Sequence, residues 1–203
     1  PPYSLFSKKD YKSLYESSSR ADREELYRWI EYYKIKFKSR VYTPLNNSEK
    51  YTLVLMGRAD FGLLGSYNKY KQTPFETFHV GGDGMTGSYT YATETIGLRG
   101  YDNGALTPYS DGRAYTRFSM ELHFPFLLQP SSTIYGLAFV EGGNAWTSLE
   151  NFNPFSLKRS AGVGVRIFLP MIGLMGIDWA YGFDKVQGEK GGGHFHFILG
   201  QEF

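Results

Sequence analysis

The 203-residue sequence contains no cysteine, which excludes disulfides, thiolate metal sites and cysteine nucleophiles. It also lacks a long hydrophobic run. The longest apolar stretch, residues 168–177, is too short for a membrane helix and is interrupted by Pro170, Gly173 and Gly176. Net charge is nearly absent: 22 basic and 20 acidic residues leave +2, so nothing argues for a nucleic-acid partner. Serines and aspartates are scattered without a nucleophile motif, and no catalytic constellation stands out. The chain reads as a non-enzyme with no cofactor. No secretory leader opens it; Pro1-Pro2-Tyr3 reads as the middle of a structure.

What the sequence has in quantity is aromatic and small. Tyr 17 and Phe 16 help bring aromatics to 18%, and there are 24 glycines. That many aromatics is high for an ordinary soluble domain of this size and suits a β-barrel with interfacial girdles. A mean hydropathy of −0.37 is compatible with a barrel, because half of each strand faces a polar lumen.

Period-two alternation is the main structural signal. In residues 29–43, Trp29, Tyr33, Ile35, Phe37 and Val41 share one face; Tyr32, Lys34, Lys36, Lys38 and Arg40 share the other. In residues 51–64, Leu53, Leu55, Ala59, Phe61 and Leu63 oppose Thr52, Arg58 and Asp60. In residues 114–126, Phe118, Met120, Leu122, Phe124 and Phe126 oppose Arg113, Arg117, Ser119, Glu121 and His123. Residues 160–169 place Val163, Val165 and Ile167 outward and Gly162, Gly164 and Arg166 inward; residues 173–183 place Ile177, Trp179 and Tyr181 outward and Asp178 and Ala180 inward. Arginine at Gly162 or Asp178 is therefore expected to be much milder than at Val165 or Ile177. Residues 134–144 are ambiguous, since Glu141 shares its parity with Tyr135, Leu137 and Phe139; either a bulge or an apolar patch on the lumen face is required.

The reading is an all-β, antiparallel transmembrane β-barrel portion of about seven strands. Residues 1–27 form an external loop, with one short helix near residues 22–28 and Ser19 as its candidate cap. Residues 28–64 hold two strands, 65–111 a long loop without sustained alternation, and 112–203 five strands. Short turns near Asn46, Gln129 and Met171 alternate with longer segments, the asymmetry of outer-membrane barrels. A soluble β-sandwich explains the alternation but not the strand length or the loop asymmetry. Seven strands cannot close a barrel without leaving open edges in lipid, so further strands are expected upstream of Pro1.

The long loop carries Leu98-Arg99-Gly100-Tyr101-Asp102 after Gly97. An arginine between two glycines rides on a backbone able to turn tightly and approach its surroundings closely. Buried in a barrel, its permanent charge needs carboxylates, and the alternation puts Glu121 on the lumen face of the next strand. The competing reading is an arginine in solvent at a turn. His194 and His196 alternate on one face of the last strand; with no third ligand in view they read as lining residues rather than a metal pair.

Taken in order, these residues resemble the BamA family of outer-membrane β-barrel assembly proteins. The resemblance runs through Tyr32-Tyr33-Lys34, Val41-Tyr42-Thr43-Pro44, Gly57-Arg58, Pro74-Phe75-Glu76, Gly81-Gly82 and Leu98-Arg99-Gly100-Tyr101. It continues with Glu121 before Pro125, residues 141–146, residues 160–164, Phe195-His196-Phe197 and the terminal Gly200-Gln201-Glu202-Phe203. Relatives, including a translocation-and-assembly protein for autotransporters (TamA) and two-partner secretion transporters, share the Arg-Gly-aromatic motif.

The resemblance implies a sixteen-stranded barrel of which this chain holds the last seven strands, preceded by periplasmic transport-associated domains. It implies that the Arg99 loop folds into the lumen and that Glu141, standing where the family has an aspartate, points inward as a partner of Arg99 with Glu121. It implies a seam at the last strand, where His194, Phe195, His196, Phe197, Ile198, Leu199, Gly200 and Phe203 would pair with nascent client barrels. Accessory lipoproteins, the lipid bilayer and the bacterial outer membrane follow as partners and location. A related secretion transporter or a passive outer-membrane pore stands as the alternative function.

Overall fold

The computed structural model describes residues 3–48, 51–84, 93–107, 112–129, 131–171, 173–186 and 191–199. Nine strands follow in chain order: β1 (Tyr33–Pro44), β2 (Val54–Gly65), β3 (Thr77–Val80), β4 (Thr93–Ile96), β5 (Ala114–Gln129), β6 (Ser132–Trp146), β7 (Lys158–Leu169), β8 (Gly173–Gly182) and β9 (Gly193–Leu199). Seven of them form one antiparallel sheet in the order β1-β2-β5-β6-β7-β8-β9. β1, β2, β5, β6, β7 and β8 have 10 to 16 residues, enough to cross a bilayer at a tilt. Gly200 and Phe203, expected on the last strand, lie outside the described residues.

The outward face is apolar along the sheet. Phe37, Val41, Met120, Phe126, Val140, Val163, Ile177, Trp179, Phe195 and Phe197 all stand exposed there. The sheet's one register shift falls between Pro125 and Leu127, so Phe126 is the extra residue. There is no bulge near Glu141. Tyr135, Leu137, Phe139 and Glu141 run in regular register and face inward together, which settles the ambiguity in favour of an apolar inner patch.

Between β2 and β5 the chain leaves the sheet and packs on its inner face. This segment, read from sequence as unpatterned, contains the parallel pair β3–β4. Four residues per strand are too few for a period test to register. Phe78, Val80 and Ile96 pack with Leu64 of β2 and Tyr115 of β5, and the Phe78 and Tyr115 rings meet edge to face at 4.7 Å. The same segment answers the basic face of β1. Glu94 lies 2.9 Å from Lys34, 3.1 Å from Lys36 and 3.8 Å from Lys38, and Glu76 lies 2.7 Å from Lys34. Lys34 is thereby partly buried, while Lys36 and Lys38 stay half exposed beside the acids of this segment.

Residues 3–27 hold three helices where the sequence suggested one: α1 (Tyr3–Phe6), α2 (Tyr11–Glu16) and α3 (Arg20–Tyr27). Ser19 occupies the N-cap of α3 but makes no side-chain cap, whereas Asp10 caps α2 by accepting from Lys12 N at 3.1 Å. Helices of four and six residues are marginal alone and depend on tertiary contacts. Here the contact is Glu31, whose carboxylate accepts from Ser4 N at 2.9 Å, Ser4 Oγ at 2.7 Å and Lys71 Nζ at 2.9 Å. Lys71 in turn stands 5.4 Å from the Tyr11 ring centre.

Two outcomes follow. Val165→Arg or Ile177→Arg should cost about 2–4 kcal/mol near the bilayer midplane, whereas Lys38→Gln on the inner face should stay within about 0.5 kcal/mol. Denaturant titration in liposomes reads both, and equal costs on the two faces would contradict the assignment. The second concerns pH. Burial opposes the Glu31 carboxylate, but hydrogen bonds from Lys71 and Ser4 outweigh it and hold its pKa below the ordinary value of 4.5. A lowered folded pKa gives stability that is present above the unfolded pKa and lost as pH falls through the folded one. Acidification through the folded pKa, which lies below 4.5, should therefore release α1 and α2 while the strands stay protected from amide exchange, and Glu31→Gln should loosen them already at neutral pH. Helix protection that does not fall on acidification, or that is unchanged in Glu31→Gln, would contradict this.

Candidate functional site

The site is built from rows that the antiparallel register lays across the inner face. One row runs Ser119–Glu141–Ser160–Gly182, the next Glu121–Phe139–Gly162–Ala180–His194, and the third His123–Leu137–Gly164–Asp178–His196. Acids from β5, β6 and β8 therefore lie within three adjacent rows, around a strip of glycine, alanine and serine.

The loop after β4 enters this strip. Leu98 and Gly82 exchange backbone hydrogen bonds of 3.0 and 3.1 Å, which holds the approach as a narrow ribbon. Gly100 has φ +87° and lies so close to the wall that an added Cβ would stand 2.8 Å from Ser160 Cβ and 3.0 Å from Gly182 N. Only glycine satisfies both the dihedral and the contact. Leu98 is fully buried beside it.

Arg99 then reaches three carboxylates. Its backbone N–H donates to Glu141 Oε2 at 2.9 Å, and Nε and Nη2 donate to Glu141 Oε1 at 3.1 and 2.5 Å. Nη1 donates to Asp178 Oδ2 at 3.0 Å, and Nη2 also donates to Glu121. The guanidinium carbon sits 3.5 Å over the Phe139 ring centre. Phe139 thus explains why an apolar side chain shares the lumen parity: it is the floor under a planar cation. Burial would lower the pKa of Arg99, but Glu141 and Glu121 outweigh that and raise it. Arg166 donates to Asp178 through Nη1 at 2.5 Å and Nη2 at 2.7 Å, while His123 lies 2.9 Å from Glu121.

A second ion pair fastens the loop one step earlier. Arg117 Nη1 donates to the Gly97 carbonyl at 2.7 Å, and Arg117 Nη2 and Arg58 Nε meet Asp60 Oδ2 at 2.5 and 2.8 Å. Beyond Arg99, Gly100 N–H donates to His196 Nε2 at 2.9 Å and the Tyr101 hydroxyl donates to the Arg159 carbonyl at 2.6 Å. Asp102 is largely exposed, with Oδ1 3.2 Å from His194 Nδ1. Among the described residues no group of three potential metal ligands forms.

Arg99 therefore stands with both sequence-predicted partners, Glu121 and Glu141. Sequence reasoning missed Asp178, Phe139, Arg166, Arg117 and the acceptor role of His196. The signal available for two of them was local singularity: Arg166 is the one charged residue on the inner face of β7 past Ser160, and Asp178 the one acid of β8. The mildness expected of arginine at Gly162 and Asp178 is corrected. Asp178 is fully buried between two guanidiniums, and a Cβ at Gly162 would meet Trp179 O at 2.3 Å and Phe139 Cζ at 2.5 Å.

Breaking a buried, hydrogen-bonded ion pair by removing one partner typically costs about 3–5 kcal/mol. Arg99→Ala should free residues 97–105 from the wall at a cost of that order, read as lost amide protection in the loop with the seven-stranded sheet still folded. Arg99→Lys should recover part of it, because a point charge cannot reproduce the planar fork. Equal protection in Arg99→Ala and the parent would contradict the site.

The sequence profile of the Omp85 superfamily domain matches residues 18–203. The fold is similar to the crystal structure of BamA from Haemophilus ducreyi lacking POTRA domains 1–3, with a TM-score of 0.58 and 19% identity, covering 83% of this chain and 35% of that one. The chain thus spans about a third of that protein's length, and at this identity the likeness concerns the fold. Omp85 proteins are outer-membrane β-barrel proteins of assembly and transport rather than enzymes. With most of its length matched, the chain belongs to the Omp85 superfamily.

Proposed function

We propose that this chain is the seam-bearing part of the core subunit of the outer-membrane β-barrel assembly machinery, and that it acts in the bacterial outer membrane without catalysis, cofactor or metal. In this reading residues 1–27 form an external cap, residues 65–111 a lumenal loop, and the remaining strands and periplasmic transport-associated domains belong to the rest of the protein. Its partners are nascent outer-membrane barrel proteins, accessory assembly lipoproteins and the bilayer.

The observation that carries the reading is the edge of β9. This strand pairs with β8 along one side, and its other side has no strand partner among the described residues. Free N–H and C=O groups along an edge template a further strand. Gly191 and Gly192 lead into β9 and Gly193 opens it, without side chains to pack. β1 likewise has one strand neighbour among the described residues, but its 12 residues are joined to the inner segment through Lys34, Lys36 and Lys38. Alternation on β9 suits a client strand: Phe195, Phe197 and Leu199 face lipid while His194, His196 and Ile198 face inward.

Because the chain has no cysteine, single cysteines placed from His194 to Leu199 give a clean crosslinking test in the intact protein. Crosslinks to strands of nascent client barrels during assembly are expected. A full survey that finds only the protein's own strands, together with solute-selective conductance, would favour a transporter or a passive pore instead.

A further inference from the structure

The inner face of β9 makes a contact that edge pairing does not require. Gly100 N–H donates to His196 Nε2 at 2.9 Å, and His196 is only 5% exposed. A backbone N–H can only donate, so Nε2 is the acceptor and the ring is neutral with its proton on Nδ1. Gly100 follows Arg99 directly. His196 stands beside Asp178 in the β8–β9 register, and Asp178 receives Arg99 Nη1. Two residues earlier, His194 stacks 6.2 Å from His196 and meets Asp102 of the loop.

We propose that His196 is the positioning residue that latches the Arg99 loop to the last strand, so that protonating His196 or displacing β9 releases the loop. The proposal deepens the assembly reading and rests on it. An imidazolium carries hydrogen on both nitrogens and cannot accept from Gly100. The charged and titratable groups around it come from every neighbouring element: Asp83 and Arg99 from the inner segment, Glu121 and His123 from β5, Glu141 from β6, Arg166 from β7, Asp178 from β8, and His194 from its own strand. Arg99 and Arg166 already occupy Asp178, and Arg99 occupies Glu141. Moving β9 away instead leaves the Gly100 amide buried and unpaired, an unfavourable state. One hydrogen bond thus couples the loop to the strand proposed as the seam.

Hydrogen–deuterium exchange of residues 97–105 tests this in the intact protein in liposomes, with rates corrected for the chemical effect of pH. His196→Leu should speed exchange about tenfold at pH 7.5, and His196→Gln, which keeps an acceptor, should restore most of the protection. Stepwise acidification should release the loop in the parent at a pH where His196→Gln is unchanged. Heat-modified gel mobility confirms that each variant is folded. Unchanged exchange in folded His196→Leu, or identical pH profiles in the parent and His196→Gln, would overturn the latch. Client insertion is measured in parallel: a parent that inserts clients while His196→Leu shows unaltered loop exchange defeats the latch alone. A parent that inserts none, with loop exchange as expected, defeats the assembly reading alone.

Discussion

A guanidinium taken out of water must be met by carboxylates, and the inner face of this sheet is arranged around that requirement. Arg99 is buried, permanently charged and carried on a loop that reaches the wall from outside the sheet. Its donors are met by acids from β5, β6 and β8, none of which is near it in sequence. Three carboxylates so close would repel one another if left alone. Arg99 and Arg166 supply two cations against them, and His123 borders the third. The cluster is thus held by mutual need: the arginine stabilises the acids that stabilise it.

That arrangement constrains the wall. A backbone cannot lie against a sheet whose side chains project into its path, so the strip beneath Gly100 consists of Ser160, Gly162, Ala180 and Gly182. Phe139 is the exception, and its ring supplies a flat apolar surface for the guanidinium. The rest of the inner face is filled by the same excursion of chain. Phe78, Val80 and Ile96 cover the apolar part near Leu64 and Tyr115, and Glu76 and Glu94 neutralise the lysines of β1. Lipid-facing and interior-facing residues therefore alternate for different reasons on the same strands. The outward set is uniform because the bilayer is uniform, and the inward set is varied because each position meets a particular partner.

For an assembly role, the loop and the last strand have to be considered as one mechanical unit. The tethers run from Arg117 at Gly97, through Arg99 and Gly100, to Tyr101 against Arg159 on β7. Most join the loop to strands paired on both sides. The His196 contact joins it to β9, whose pairing is one-sided among the described residues. β8 restrains the strand along one edge and the loop restrains it on one face.

The sequence by itself determined the strands, their two faces and the alternation of long and short connections, because period-two patterning is local and lipid imposes the same demand at every outward position. Parity alone also put Glu121 on the face that Arg99 would need. Only the tertiary structure decided that Asp178 rather than solvent takes Nη1, that residues 135–141 form an inner apolar patch and not a bulge, and that His196 accepts from Gly100. Each of these depends on register between strands far apart in the chain, which connection lengths and packing set and no local pattern encodes. The helices α1 and α2 and the pair β3–β4 were hidden for a related reason. They are shorter than the periods that reveal such elements, and they persist because Glu31, Lys71, Leu64 and Tyr115 give them something to pack against.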